Sequence, residues 1–179
     1  MTDVFRAWPR YCEENVWHLC GELPDPASAR VAFVSNAQRG VAFWCQRAAT
    51  EGAPIAWDYH VILLVPGAGG EWHVLDPDSR LDMPAAAGLY LRESFRPLPP
   101  HLDRFAPRFR LVPADVYRAE LRSDRSHMRA ADGSWHSPPP PWPCIGSGTN
   151  LMEFVDPESD LPGEWLDLPQ VRARVTPPG

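Results

Sequence analysis

The sequence predicts an α+β fold, an N-terminal helix packed on a mostly antiparallel sheet, in one domain spanning residues 1–179. Three observations carry this expectation. Residues 11–20 space their apolar side chains as a helix does. Between residues 30 and 76, runs of β-branched and aromatic residues alternate with turns rich in Gly, Pro and Asn. The chain also holds 22 prolines and 12 glycines among its 179 residues. So many breakers exclude a long helical bundle and predict long ordered loops.

In YCEENVWHLC (11–20), Cys12, Val16, Leu19 and Cys20 have helical spacing. Glu13 and Glu14 occupy the first turn, where the backbone dipole favours negative charge, and Gly21 and Pro24 end the helix. RVAFVS (30–35) and VAFWCQR (41–47), joined through 36–40, read as a hairpin. IAWDYHVILLV (55–65) is the strongest strand, PGAGG (66–70) its turn and EWHVLD (71–76) the returning strand. That turn joins two strands and lacks the Lys-Ser/Thr of a phosphate loop. Residues 86–95 predict a second helix, 109–112 another strand and 114–121 a short helix. SPPPPWPC (137–144) must be extended, because consecutive prolines favour polyproline II. Such a stretch either docks a partner domain or, as expected here, straps its own domain. The Pro-rich last twenty residues are expected to wrap or fray.

Hydrophobic residues make up 44% and charged residues 22% of the chain, as in globular proteins and unlike disordered ones. No apolar run exceeds five residues, against the ~20 of a membrane helix. The start, MTDVFRAWPRYCEEN, has no leader pattern, so the expected location is cytoplasmic, with no membrane partner. Net charge is −6, which argues against a nucleic-acid partner. The four cysteines, at 12, 20, 45 and 144, form no C-x-x-C pair. A structural zinc site is therefore not expected, and free thiols are expected over disulfides.

A catalytic cysteine needs thiolate character, which a helix N-terminus favours. Cys12 alone is so placed; Cys20 lies at the opposite helix end, Cys45 in an apolar strand and Cys144 among prolines. Since a free cysteine is more often a small buried hydrophobe, the candidate needs a base with an orienting group. If residues 66–70 form the loop, Val65 faces Glu71 and His60 faces Asp76. Facing Cβ atoms lie ~4.5–5.5 Å apart, within reach of an imidazole–carboxylate hydrogen bond. A lone strand histidine is usually structural, and the facing carboxylate is what favours His60 as a base. Asp58 is a rival orienter on the same strand face. His73 displays on the opposite face, and His18 turns ~240° away from Cys12. His101, His127 and His136 fall in polar loops. Trp57, near His60, is placed to wall a pocket. A helix cysteine followed by a strand histidine and aspartate points to acyl transfer at a carbonyl, an order shared by papain-like and transglutaminase-like enzymes. Spacing leaves peptide bond, side-chain amide and thioester open as substrates.

Six segments resemble the protein N-terminal glutamine amidohydrolase family: YCEENVWHLC (11–20), FVSN (33–36), WDYHVILL (57–64), LDPDS (75–79), SDRSHM (123–128) and PPPPWPC (138–144). The resemblance implies a monomeric α+β enzyme with a papain- or transglutaminase-like core, needing no metal or organic cofactor. It implies a triad on Cys12, His60 and Asp76. The implied reaction converts the N-terminal glutamine of a protein or peptide to glutamate and ammonia, a step that in eukaryotes feeds the N-degron pathway. In the implied course, Cys12 thiolate paired with His60 imidazolium attacks the δ-carbonyl and His60 protonates the leaving ammonia. Water then cleaves the thioester. Reading a terminus requires contact with its α-ammonium, and a buried cation needs a partner. Glu13 and Asp58 are the candidates, with Trp57 walling the pocket. Two alternatives stay open: a transglutaminase-like acyl transferase, in which an amine replaces water, and a non-catalytic peptide-binding module.

Overall fold

The computed structural model describes residues 7–176. Residues 1–6, where the expectation about a leader falls, and residues 177–179 of the Pro-rich tail lie outside the described residues. In chain order the elements are α1 (Cys12–Gly21), β1 (Arg30–Ser35), β2 (Val41–Phe43), β3 (Ile55–Trp57), β4 (His60–Pro66), β5 (Trp72–Leu75) and β6 (Ala85–Ala86). There follow α2 (Ala87–Ser94), β7 (Arg108–Pro113), α3 (Ala114–Glu120), α4 (Leu151–Val155), β8 (Glu164–Asp167) and α5 (Leu168–Val175). Among the described residues no helix is long and apolar enough to cross a membrane.

The fold is α+β, and its main sheet has the order β6-β5-β4-β1-β7-β8. Every pairing in it is antiparallel. The central strands are buried on both faces, which is why β4 reads as the unbroken apolar run VILLV. Val61 and Leu63 pack with Cys12, Val16, Tyr117 and Phe154, beneath α1, α3 and α4. Ile62 and Leu64 point the other way, to Phe43, Tyr90, Leu91 and Val171, beneath the β2–β3 ribbon, α2 and α5. Side-chain alternation along one strand thus feeds two cores.

Four expectations are corrected. The 30–47 hairpin does not form: β1 is central and both its edges are taken, by β4 and β7. The Asn36 side chain closes a turn onto Gln38 and Gly40, and β2 pairs instead with β3. The long 55–65 strand is broken, since Asp58 Oδ1 accepts the Tyr59 N–H and the Asp58 carbonyl accepts the Ser35 hydroxyl. Cys45 lies beyond β2, in a left-handed conformation with φ 57°. The tail expected to wrap or fray forms regular structure as far as Val175: β8 extends the sheet, and a capping box between Asp167 and Gln170 starts α5. The D-L-P-Q pattern was a readable helix start that the proline count obscured.

Candidate active site

α1 begins at Cys12, with Tyr11 as N-cap. The turn before it is clamped by Asn15, whose side chain accepts from the Trp8 N–H (2.8 Å) and donates to the Trp8 carbonyl (2.8 Å). Glu13, Glu14 and Asn15 are all fully buried, so the two carboxylates are more than a solvated complement to the helix dipole. Glu14 receives the Arg125 guanidinium in two bonds (2.7 and 2.8 Å) and the Trp142 indole N–H (2.6 Å). Arg125 also donates to the carbonyls of Pro140, Trp142 and Pro143, while Tyr11 and Trp8 donate to those of Ser137 and Pro138. The polyproline segment straps its own chain, against the start of α1.

His60 opens β4 and is buried. Its Nε2 lies 2.9 Å from Asp76 Oδ1. The facing pairs, however, are Val65–His73 and Leu63–Leu75, a register two residues away from the predicted one. A shift of two keeps side-chain parity, so Asp76, one residue past β5, still reaches the imidazole. Asp76 is held in turn by the Tyr90 hydroxyl (2.7 Å) and Gln46 Nε2 (3.0 Å) on Oδ2, and by the Asp78 N–H (3.1 Å) on Oδ1. Trp57 stacks on the His60 ring at 6.0 Å and Phe43 meets it edge-on at 5.3 Å. With Nε2 turned to the carboxylate, a neutral His60 keeps Nδ1 as its acceptor.

Burial alone would raise Asp76, but the His60 charge and hydrogen bond, with Gln46 and Tyr90, hold it below the ordinary carboxylate value. Burial alone would lower His60, but the Asp76 charge and hydrogen bond raise it above its ordinary value, with Asp78 and Glu13 adding to the effect. Burial first, then the charges of Glu13, Asp78 and Asp76, push Cys12 well above the usual thiol range, opposed by the Val61 N–H. The surroundings of Cys12 thus oppose the ionisation that its place at a helix start favours. The helix N-terminus is outweighed by desolvation and three carboxylates. Burial pushes Cys20 up to about 12.

Cys12, His60, Trp57, Asp58, Asp78 and His127 line one cavity of about 640 Å³. Cys12 comes to it from one layer of the fold and His60 from the other. Asp76 stands behind the imidazole. Glu13 stands behind the thiol, with Oε2 3.7 Å from Sγ, and is fully sealed. It is thus not placed as the ligand contact expected of it, whereas Asp58 is exposed on the cavity wall. Asp58 is not the orienter, since Asp76 makes the bond to His60. Sequence reasoning missed Gln46, Tyr90, Asp78 and His127. Asp78 and His127 lay within the quoted LDPDS and SDRSHM segments; nothing local marked Gln46 or Tyr90. The donor atoms of His60, Asp76 and Asp78 lie within 4.8 Å of one another, and a cation there would displace the His60–Asp76 hydrogen bond.

A thiol, an imidazole held by a carboxylate, and a cavity shared by the first two can together attack an amide carbon. The class this defines is that of amide-directed hydrolases, and comparison with known proteins gives the family. The chain belongs to the N-terminal glutamine amidase family, whose sequence profile matches residues 8–175. The Protein N-terminal glutamine amidohydrolase of Homo sapiens is 36% identical over 151 residues, covering 82% of this chain and 74% of the human protein. The protein of that name from Drosophila ananassae is 43% identical over 150 residues, covering 79% of this chain and 72% of its own.

Proposed function

We propose that this chain hydrolyses the side-chain amide of an N-terminal glutamine in peptides and proteins, yielding N-terminal glutamate and ammonia. The carrying observation is the pairing of His60 with buried Asp76 beside the Cys12 thiol at one cavity, in a member of this family. We read the helix-borne cysteine and strand-borne histidine as a papain- or transglutaminase-like core, in a single-domain, monomeric, cytoplasmic enzyme.

His60 Nδ1 takes the Cys12 proton as sulfur attacks the glutamine Cδ. The Cys12 N–H, in the first turn of α1, donates to the developing oxyanion. The tetrahedral intermediate collapses, His60 gives its proton to the departing ammonia, and a γ-glutamyl thioester remains. Water, deprotonated by His60, cleaves that thioester and the sulfur regains its proton. Asp76 fixes the imidazole tautomer and stabilises its charged form. Asp58 meets the substrate α-ammonium, and Trp57 walls the slot over His60.

The test compares peptides bearing N-terminal glutamine, N-acetylated glutamine, internal glutamine and N-terminal asparagine, read by ammonia release and mass spectrometry. Only the first should turn over. A site built around a polar group rejects analogues lacking it by up to ~10⁴-fold. Equal turnover of the free and acetylated peptides would overturn the reading, and amine incorporation in place of water would reassign the reaction to acyl transfer.

A further inference from the structure

Cys12 is crowded by negative charge. Glu13 Oε2 lies 3.7 Å from its sulfur, so the S–H donates to a carboxylate. The other Glu13 oxygen is buried and has no hydrogen-bond donor among the described residues. Among the described residues His127 Nε2 lies 3.2 Å from it, outside hydrogen-bonding geometry. Asp78 lines the cavity that Cys12 lines, and Asp58 lies on the same wall. Asp76 sits behind His60. The cationic side is Arg10, Arg47 and the titratable His60, His127 and His136, all lining the cavity.

We propose that these carboxylates, Glu13 foremost, hold the nucleophile as an unreactive thiol, and that a cation arriving in the cavity releases it. Through the proposed reaction, the substrate's own α-ammonium is that cation, so the inference rests on that reading for its physiological trigger. An ammonium on the cavity wall offsets the field that opposes ionisation of Cys12, and in a water-poor site that field is weakly screened. The S–H proton then passes to His60, and the sulfur lone pair is free to attack. A substrate with a blocked terminus brings no charge and leaves the thiol held. Glu13 thus acts through Cys12, as a positioning residue that couples recognition of the terminus to reactivity.

The test is alkylation of Cys12 by iodoacetamide, in which the sulfur displaces iodide and its proton is lost to His60 and then to solvent. Site-resolved mass spectrometry follows the Cys12 peptide, with exposed Cys144 as internal reference. Glycyl-seryl-glycine supplies an ammonium and leaves the glutamine slot open to the reagent; its N-acetyl form is the control. Alkylation tracks the thiolate, and each unit of pKa is tenfold in its population. At neutral pH the free peptide should accelerate Cys12 alkylation by roughly tenfold, with no change from the acetylated peptide or at Cys144. Glu13→Gln should alkylate faster than wild type without peptide and respond less to it. Unchanged or slower Cys12 alkylation with the free peptide, or equal acceleration by the acetylated one, overturns the proposal. That arm uses the wild-type protein, so it decides even if Glu13→Gln does not fold. Turnover of a glutaminyl peptide, measured separately, tells the two readings apart. Turnover without the alkylation effect sinks this inference alone, and the effect without turnover sinks the proposed reaction alone.

Discussion

In the proposed reaction Cys12, His60 and Asp76 divide the chemistry among nucleophile, base and orienting carboxylate, and each assignment has its own test. Cys12→Ala should abolish ammonia release while leaving the unfolding curve near that of wild type. Cys144→Ala, at an exposed position, should keep full turnover. Asp76→Asn should lower kcat by roughly 10⁴-fold, because an amide neither stabilises imidazolium nor fixes the tautomer. Tyr90→Phe removes one hydrogen bond to the same carboxylate. It should cost about 2 kcal/mol of stability and far less activity. A Tyr90→Phe variant as inactive as Asp76→Asn would make the hydroxyl part of the machinery itself. At this scale the sequence was informative for residue types with few uses: a cysteine at a helix start and a histidine and aspartate of matching strand parity. Gln46 and Tyr90 were silent, because a carboxylate's second partners can come from anywhere in the chain.

At the scale of elements, the start of α1 is held by a buried ion pair whose members are 111 residues apart, with the strap laid over it. Glu14→Ala leaves the Arg125 guanidinium, only 6% exposed, without its counter-charge. Breaking such a pair by removing one member costs about 3–5 kcal/mol, measurable by denaturant unfolding. Glu14→Gln, which keeps a hydrogen-bond acceptor, should cost less. A loss below about 1 kcal/mol for Glu14→Ala would place this pair with weakly coupled surface pairs. The β4–β5 hairpin was legible in its strands and its face, though not in its register. The Gly-rich turn permits more than one placement of the same five-residue loop, and the Gly67 N–H bonds the Glu71 carbonyl to set it one residue later, over 67–71, which moves the register by two.

Across the whole molecule, the charges around the cavity predict a pH profile. The base must be neutral to act, and His60 titrates above its ordinary 6.5. The acid limb of kcat/KM should therefore lie above pH 6.5. The free substrate's α-amino group loses its charge near ~7.7–8.0, and the alkaline limb should fall there, while that of kcat lies higher. An acid limb at or below pH 6 would remove His60 as the base or uncouple it from Asp76. Stability should follow the same pair. The raised His60 value stabilises the fold fully below 6.5, and this is lost as pH rises through the folded-state value. The depressed Asp76 value stabilises above 3.8, and this is lost as pH falls through the folded-state value. The stability gap between wild type and Asp76→Asn should thus be widest between pH 3.8 and 6.5 and narrow on the alkaline side.

What the chain determined by itself was local. Periodicity marked α1, α2, α3 and β7 to within a residue or two, and composition excluded a helical bundle. Side-chain parity put His60 and Asp76 on one face in the predicted register and in the observed one, because the two differ by two residues and not by one. These are properties of a few neighbouring residues, and backbone geometry imposes them before any packing. The tertiary structure decided the rest. β2 leaves β1 because β4 and β7 take both edges of β1, and a Pro-rich tail becomes strand and helix because β7 still has an open edge for β8. Glu13 changes from a first-turn residue and candidate ammonium contact to a sealed carboxyl group behind the thiol. The ease with which Cys12 ionises turns with it, because desolvation and the field of distant carboxylates depend on which segments fold over a side chain and not on its neighbours in sequence.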